Sequence, residues 1–309
     1  MRAYILRRLL WTPLILLVVS FITFGLGTYG PGDPVSVLAG QHRDQDVIDR
    51  IRHQRGLDDP FIVQYGRYVI NALQGDLGES FTFPGQSVGG LIAEKIWISA
   101  QLGIAATIVS LLIGMPLGLI AALNQGRWID PAIVSGTLFF LSVPVLFTAP
   151  LMLLIFVIWL DLLPSAGWGG FFDTRIIMPA LVMGLPGIAI ITRLMRASTL
   201  DILGQDYIRT ARAKGLGEFL VRRRHILRNA LIPIVTVVGL SLGDLVTGAF
   251  ITEGLFGIPG IGRLVIDSIF NRDYPVIMAV VLLIAVSFVI ANLLVDILYA
   301  ALDPRIRYR

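Results

Sequence analysis

The side chains that could perform chemistry in this chain are few and scattered. Its three histidines, His42, His53 and His225, lie far apart, and none has a metal-ligand partner at helical spacing. Cysteine is absent, which excludes disulfides, thiolate metal sites and cysteine nucleophiles. The phosphate loop G-x-x-x-x-G-K-[ST] does not occur, so the chain has no nucleotide site of that kind. The sequence therefore predicts no catalytic residue, no bound metal and no cofactor.

One carboxylate, Asp244, stands inside an apolar segment, close to Ser241 and Thr247. Ionisable residues at such depth often mark ion sites or proton relays. A lone acid among small polar residues instead favours a group that faces a water-filled path or bonds a neighbouring helix. We take Ser241 and Asp244 as candidate residues of a translocation path, and we give Asp296 no transport role.

The composition explains why polar chemistry is scarce. Hydrophobic residues make up 55% of the 309, charged residues 15%, and the mean hydropathy is +0.79. A membrane-spanning helix needs about 20 apolar residues, and six segments qualify. We therefore predict an all-α membrane protein of six transmembrane helices, with the first segment a retained helix rather than a signal peptide. The segments are 9–29, 96–123, 131–160, 176–197, 229–252 and 275–302.

Lysine and arginine set the orientation of these helices, since cytoplasmic loops are enriched in both. With the N-terminus inside, the inner segments carry 16 of the 25 basic residues. The outer loop 30–95 carries six basic residues against nine acids. Both termini are thus predicted to be cytoplasmic, and the basic pI of 9.6 reflects topology rather than nucleic-acid binding. We divide the chain into 1–30 (first helix), 31–95 (extracytoplasmic loop region) and 96–309 (core of five helices).

The longest and most basic cytoplasmic loop, 193–228, contains the run DYIRTARAKGL at 206–216. Asp206 is a suitable N-cap, the alanines favour helix, and Gly215 is placed as the left-handed residue that ends a helix. We predict a short helix over 206–215 and a second one from Glu218 to Arg228. The second would place Phe219, Leu220, Ile226 and Leu227 on one face.

Two interpretations fit this loop. The first is a positive loop that lies on the membrane surface. The second is a compact helix with small alanines that docks on a soluble partner and passes its motion to the membrane helices. The sharp stop at Gly215 favours the second.

The loop sequence DYIRTARAKGL…HILRNALIP closely resembles the EAA loop of ABC-importer permeases, in the dipeptide/oligopeptide branch. Further matches follow in the same order along nearly the whole chain. They are PGDP (31–34), GLDDPFIVQYGRYVINALQGDLGESF (56–81), LPSAGW (163–168), EGLFGIPGIGRL (253–264) and NLLVDILYAALDPRIR (292–307).

This resemblance implies a type I ABC-importer permease fold in a bacterial or archaeal cytoplasmic membrane. It implies a second, similar permease, two ATPase subunits that bind ATP and Mg²⁺, and an extracytoplasmic binding protein. The permease itself would not be an enzyme, and nucleic acid would not be a partner. The EAA loop would be the helix that couples to the ATPase, through Tyr207, Arg209, Thr210, Ala211, Arg212, Ala213, Lys214 and Gly215. The general Glu-Ala-Ala pattern falls on 209–211, so Arg209 stands where that pattern has an acid.

The substrate implied by the branch is a di- or oligopeptide. Similar systems carry nickel or oligosaccharides, and those alternatives stay open because selectivity largely belongs to the binding protein. A stand-alone secondary transporter is the main rival, with Asp244 as its only obvious ion site. A membrane enzyme is a second rival, which the lack of a catalytic pair disfavours.

Overall fold

The computed structural model describes residues 2–29, 56–241 and 250–302, with the single positions 46, 49 and 53; the side chains of 2–10, 240 and 294–302 are not described. Over these residues the chain is helical and has no β-strand. The helices are α1 (Arg2–Tyr29), α2 (Phe61–Leu73), α3 (Val88–Leu123), α4 (Ile129–Ser142), α5 (Val145–Leu153), α6 (Ile177–Leu203), α7 (Asp206–Ala213), α8 (Glu218–Leu220), α9 (Arg228–Ser241), α10 (Phe250–Phe256), α11 (Ile261–Asn271) and α12 (Tyr274–Leu302).

Four described stretches are long and apolar enough to cross a membrane. A fifth is the pair Ile129–Ser142 and Val145–Trp159, if its two bent halves form one span. These five overlap the first, second, third, fourth and sixth predicted segments. The predicted segment 229–252 is only partly described, because 242–249 lie outside the described residues. The four single stretches are Trp11–Tyr29, Val88–Leu123, Thr174–Leu203 and Tyr274–Leu293.

The predicted continuous segment 131–160 is divided in two, with a bend of 102°. Val143 at the break is extended, with φ −88° and ψ 124°, and Pro144 follows it. Proline removes a backbone donor and disfavours helical geometry in the residue before it. The chain restarts as α5 and then widens into a π-helical turn over Leu154–Trp159.

Two compact units make up the chain. The first comprises Met1–Ser99, Val246–Phe250 and Pro259–Arg309. In it, α1 packs along α12, and the start of α3 packs on α11 and α12 around Val88, Ile261 and Val276. The buried Asp273 carboxylate accepts hydrogen bonds from the Ser80 hydroxyl and from the backbone N–H groups of Phe81 and Thr82.

The second unit comprises Ala100–Leu245 and Ile251–Ile258. Its core lies where α6 and α9 meet, around Ile191, Met195, Ala230 and Ile234, with α3 residues such as Met115 packed against them. Gly118 of α3 allows a close approach to α6. A Cβ there would lie 2.5 Å from the Thr192 carbonyl oxygen and 2.7 Å from Met195 Cβ. Small residues at such crossings let helix backbones touch.

Candidate functional site

The predicted short helix over 206–215 exists as α7, Asp206–Ala213, but its N-cap residue lies one position earlier than predicted. Gln205 is the N-cap residue, with φ −78° and ψ 144°, and no side chain caps the helix. The prediction that Asp206 is the N-cap is therefore wrong. Asp206 occupies the first turn, where a carboxylate still complements the helix dipole. Its Oδ1 lies 3.5 Å from Arg209 Nη1, and both side chains are largely exposed.

The C-terminal end of α7 confirms the prediction for Gly215. This residue has φ +78°, in the left-handed region. Its N–H donates to the Arg212 carbonyl at 2.9 Å, and the N–H of Leu216 donates to the Ala211 carbonyl at 3.3 Å. These two bonds form a Schellman motif, which satisfies carbonyls that the helix end would otherwise leave free. The helix therefore stops sharply, and the chain reverses within a few residues.

One face of α7 is buried in the chain's own core. Ile208 is fully buried and Ala211 is 6% exposed, and both pack with Val221 and Ile226. Leu203 at the end of α6 packs on the same cluster. The small side chain of Ala211 therefore serves contact within this chain rather than contact with a partner. This cluster ties α7 to the helix before it and to the helical segment after it.

The second predicted helix, from Glu218, continues well beyond Arg228. It comprises α8, a π-helical stretch over Val221–Leu227, and α9. A π-helix bonds i to i+5 and so shifts which residues share a face. The predicted apolar face is partly wrong for this reason: Phe219 is 76% exposed, whereas Val221 and Ile226 are buried.

The opposite face of α7 is exposed and cationic. Arg209, Thr210, Ala213 and Lys214 are all exposed. Arg212 is held instead by Glu218, with Nε to Oε1 at 2.8 Å, which links the helix to the start of α8. The hydrogen bonds and charge of Arg212 hold the pKa of the Glu218 carboxyl below its usual value. The exposed cations of this face, Arg209 and Lys214, are thus suited to an acidic surface on another protein.

An ion pair next to this region was missed by the sequence analysis. Arg196 of α6 donates from Nε to Asp130 Oδ1 at 2.6 Å and from Nη2 to Oδ2 at 2.7 Å. Asp130, in the first turn of α4, is 5% exposed. From the sequence, Arg196 is only one of the basic residues of the inner segments. The sequence signal was an arginine placed inside the inner end of an apolar segment.

The two residues predicted to line a path have different outcomes. Ser241 lies at a cavity of about 240 Å³ between α3, α6 and α9, with Thr107 and Ser110 also in its wall. The Ser241 hydroxyl donates to the Val238 carbonyl at 2.9 Å, and Ser110 reaches the carbonyls of Ala106 and Gly184. These hydroxyl groups therefore offer mainly acceptor lone pairs to a ligand. Asp244 lies outside the described residues.

The run GQSVG at 85–89 fits the pattern G-x-S-x-G of serine hydrolases. Its structural context is different from that of a nucleophile. Ser87 precedes α3, and its Oγ accepts the Gly90 N–H at 3.2 Å, as a helix N-cap does. Within the described ranges, no group of three histidine or carboxylate side chains converges that could hold a metal ion.

Comparison with known families gives two matches that together cover most of the chain. Residues 114–308 match the family described as "Binding-protein-dependent transport system inner membrane component". Residues 1–85 match the N-terminal region of such membrane components. The second match covers α1 and α2, and the first covers α7 and its surroundings.

Individual relatives agree with these matches. The chain is 40% identical over 306 residues to the glutathione transport system permease protein GsiC of Escherichia coli O6:H1, with 99% of each chain covered. The same protein from Salmonella paratyphi A gives the same identity and coverage. Among solved structures, the inward-facing MetNI methionine ABC transporter matches with a TM-score of 0.56 at 19% identity, over 69% of this chain and 96% of that chain. At that identity the likeness concerns the fold.

Proposed function

Because this chain belongs to the family of binding-protein-dependent inner-membrane transport components, and is thus a multi-pass permease subunit of an ABC importer in the bacterial inner membrane, we propose that α7 is its contact with an ATPase subunit. The observation that carries this proposal is the two-sided build of α7. One face is fixed to α6 and to the Val221–Leu227 segment, while the other presents Arg209, Thr210 and Lys214 outward. A helix built in this way can be displaced by a partner bound to its exposed face and can transmit that displacement to the segments packed on its buried face.

The six-span topology, with α7 inside, is part of the same proposal. Arg196, near the end of α6, meets Asp130 at the start of α4, so these ends share one side of the membrane. About 19 residues of α6 separate Arg196 from Ile177, or about 28 Å at 1.5 Å per residue, which is close to the hydrocarbon thickness. The bent pair α4–α5 must then connect the two sides, which favours a broken span over a re-entrant loop.

A contact on the other side supports the fifth span. The Gly167 N–H donates to the Phe256 carbonyl at 2.8 Å, so the loop before α6 and the end of α10 share a side. The chain leaves that side through α6 and is back there at Phe256, which requires one more crossing between 204 and 256. The predicted segment 229–252 is the stretch available for that crossing.

In the proposed mechanism, ATP and Mg²⁺ are bound by two partner ATPase subunits, and a second permease completes the translocation path. Closure of the ATPases displaces α7, and the contacts of Ile208 and Ala211 pass this displacement to α6 and to the Val221–Leu227 segment that leads into α9. The path then alternates between outward-open and inward-open states. The cavity beside Ser241 is our candidate for part of that path. An extracytoplasmic binding protein delivers the substrate.

We propose a small peptide as the substrate, because the relatives named above are glutathione permeases and glutathione is a tripeptide. Nickel and oligosaccharides are the alternative substrates. The test for substrate identity is binding of each class to the cognate binding protein by calorimetry. Tight binding of nickel or a sugar, with no response to peptides, would reject the peptide assignment.

Cross-linking tests the partner contact. The chain has no cysteine, so a single cysteine at the exposed Thr210 reports one position only. We expect Thr210→Cys to cross-link to the ATPase subunit in assembled complexes, and Phe172→Cys, in the loop before α6, to give no ATPase adduct. ATP-dependent uptake by the same complexes completes the test. An adduct from Phe172→Cys alone, or uptake by this chain without the ATPases, would overturn the proposal.

A further inference from the structure

The Arg196–Asp130 pair is built more tightly than the other ion pairs in the described part of the second unit. Both guanidinium-to-carboxylate bonds are short, at 2.6 and 2.7 Å, and they run in parallel. The Asp130 side chain is 7% exposed and that of Arg196 is 29% exposed, whereas Arg212 and Glu218 are 42% and 50% exposed. A paired, two-point contact of this kind fixes orientation as well as distance.

Three helices meet at this pair. Asp130 belongs to the first turn of α4, and Arg196 belongs to α6, whose end at Leu203 lies three residues before α7. On α3, Gly118 is so close to α6 that a Cβ there would lie 3.1 Å from the backbone nitrogen of Arg196. Arg196 of the pair therefore lies on α6 about two turns before the residues that lead into α7.

We propose that Arg196 and Asp130 are positioning residues for coupling, which hold the inner ends of α4 and α6 together as one rigid body. A displacement of α7 reaches α6 through the chain itself and through the Ile208 cluster. It reaches α4 through the ion pair. This inference depends on the proposed role of α7 and adds the route by which its motion enters the third span.

The chemistry of the pair explains why these residue types are required. Arginine offers a planar fork that matches both carboxylate oxygens, whereas lysine offers a single charge with no fixed direction. Removal of either partner leaves the other charge poorly solvated, so each helix end would move to reach water. The double variant Asp130→Asn/Arg196→Gln avoids that unpaired charge but also lacks the two-point connection.

The first test measures substrate molecules imported per ATP hydrolysed, in the full complex reconstituted in liposomes. We expect Arg196→Gln, Asp130→Asn and the double variant each to lower this ratio at least about fivefold, the lower end of ordinary coupling effects, while ATP hydrolysis continues. Because the pair acts as one unit, the double variant should be no worse than either single variant. Arg193→Gln, an exposed arginine one turn away on α6, is the matched control and should leave the ratio unchanged. A normal ratio in assembled Arg196→Gln complexes, or effects that add in the double variant, would overturn the proposal.

Arg196→Lys keeps the positive charge beside Asp130, so this variant separates the loss of two-point geometry from a simple failure to fold. We expect it to assemble at normal levels and to show a reduced ratio, because the second hydrogen bond is lost. Assembly at normal levels with an undiminished ratio would mean that the charge alone suffices and that the two-point geometry has no role.

The second test measures directly whether the inner ends of α4 and α6 keep a fixed separation, and it does not depend on the ATPase contact. Spin labels at the exposed positions Trp128 and Ala197 report the separation between the inner ends of α4 and α6. We expect this separation to be the same with and without ATP in the parent chain, and to broaden in Arg196→Gln. An unchanged distribution in Arg196→Gln would reject the rigid body. If Thr210→Cys fails to reach the ATPase while this distribution does broaden, the role of α7 fails and the connection between helices stands.

Discussion

Replacement of Gly215 tests whether the sharp end of α7 is needed for coupling. At φ +78° an L-residue pays a steric cost between its Cβ and the backbone, about 1–2 kcal/mol for a residue such as alanine. Nothing else lies within 4 Å of the position that a Cβ would take. The whole effect of a substitution is therefore conformational, without a clash against neighbouring elements.

This geometry predicts a graded series. Asparagine adopts the left-handed region most readily after glycine, alanine less so, and β-branched valine least. For alanine, 1–2 kcal/mol lowers the ratio of formed to unformed turn by about 5- to 30-fold. We expect Gly215→Asn to be mild, Gly215→Ala intermediate, and Gly215→Val to uncouple ATP hydrolysis from uptake.

The assay is substrate imported per ATP hydrolysed by reconstituted complexes of matched composition. Gly217 supplies the control, since it is two residues away, equally open, and has φ −61°, which any residue adopts. Gly217→Ala and Gly217→Val should therefore leave the ratio unchanged. Normal coupling by an assembled Gly215→Val complex, or equal damage from Gly217→Val, would refute the reasoning.

Two further predictions concern packing and charge in the second unit. Gly118→Ala should lower the free energy of unfolding of the purified chain by about 1–3 kcal/mol, because the new Cβ would press on the α6 backbone. Gly136→Ala, with nothing within 4 Å of its Cβ position, should be neutral or stabilising by about 0.4–1 kcal/mol. Equal melting temperatures for the two variants would contradict this prediction. The pKa of Glu218 is depressed by Arg212. The stabilisation that this carboxylate gives to the turn is therefore present above the unfolded pKa of about 4.3, and it is lost as the pH falls from there through the lower pKa of the folded chain. A spin label at Lys214 should become more mobile on acidification in the parent chain, and Glu218→Gln should remove that pH dependence.

Local chemistry made Gly215 predictable from the sequence. A glycine that follows a short helix-forming run has few other roles than to end the helix, and the Schellman bonds form between neighbours along the chain. The start of α7 was less predictable, because Gln205 takes the cap position through its backbone conformation without any side-chain bond. Side-chain preference alone therefore misplaced the N-cap of α7 by one residue.

The break at Pro144 was also readable, since proline restricts the residue before it. Proline does not always break a span, since Pro116 lies inside α3 and Pro186 inside α6. What separates these cases is whether neighbouring helices can keep the chain straight, and that depends on tertiary contacts.

The Arg196–Asp130 pair could not be predicted, because the residues are 66 positions apart and each has an ordinary local explanation. Arg196 fits the excess of basic residues at inner helix ends, and Asp130 fits the first turn of a helix. Only the packing of α4 on α6 brings them together. Local sequence patterns do not reveal long-range pairs of this kind.

The same structure changes what the general motif means in this chain. The alanine at 211 is buried against Val221 and Ile226, so its small size fits α7 to its own permease. Arg209, by contrast, is 75% exposed in its side chain and stands where the general pattern has an acid. Its Nη1 lies 3.5 Å from Oδ1 of Asp206, a long ion pair whose carboxylate is also exposed to solvent. If α7 contacts the ATPase as proposed, a surface suited to an acid at this position would repel Arg209, so we expect the ATPase partner of this chain to present an acidic group opposite position 209. Charge reversal at 209 should then weaken assembly, and a compensating basic residue on the ATPase should restore it.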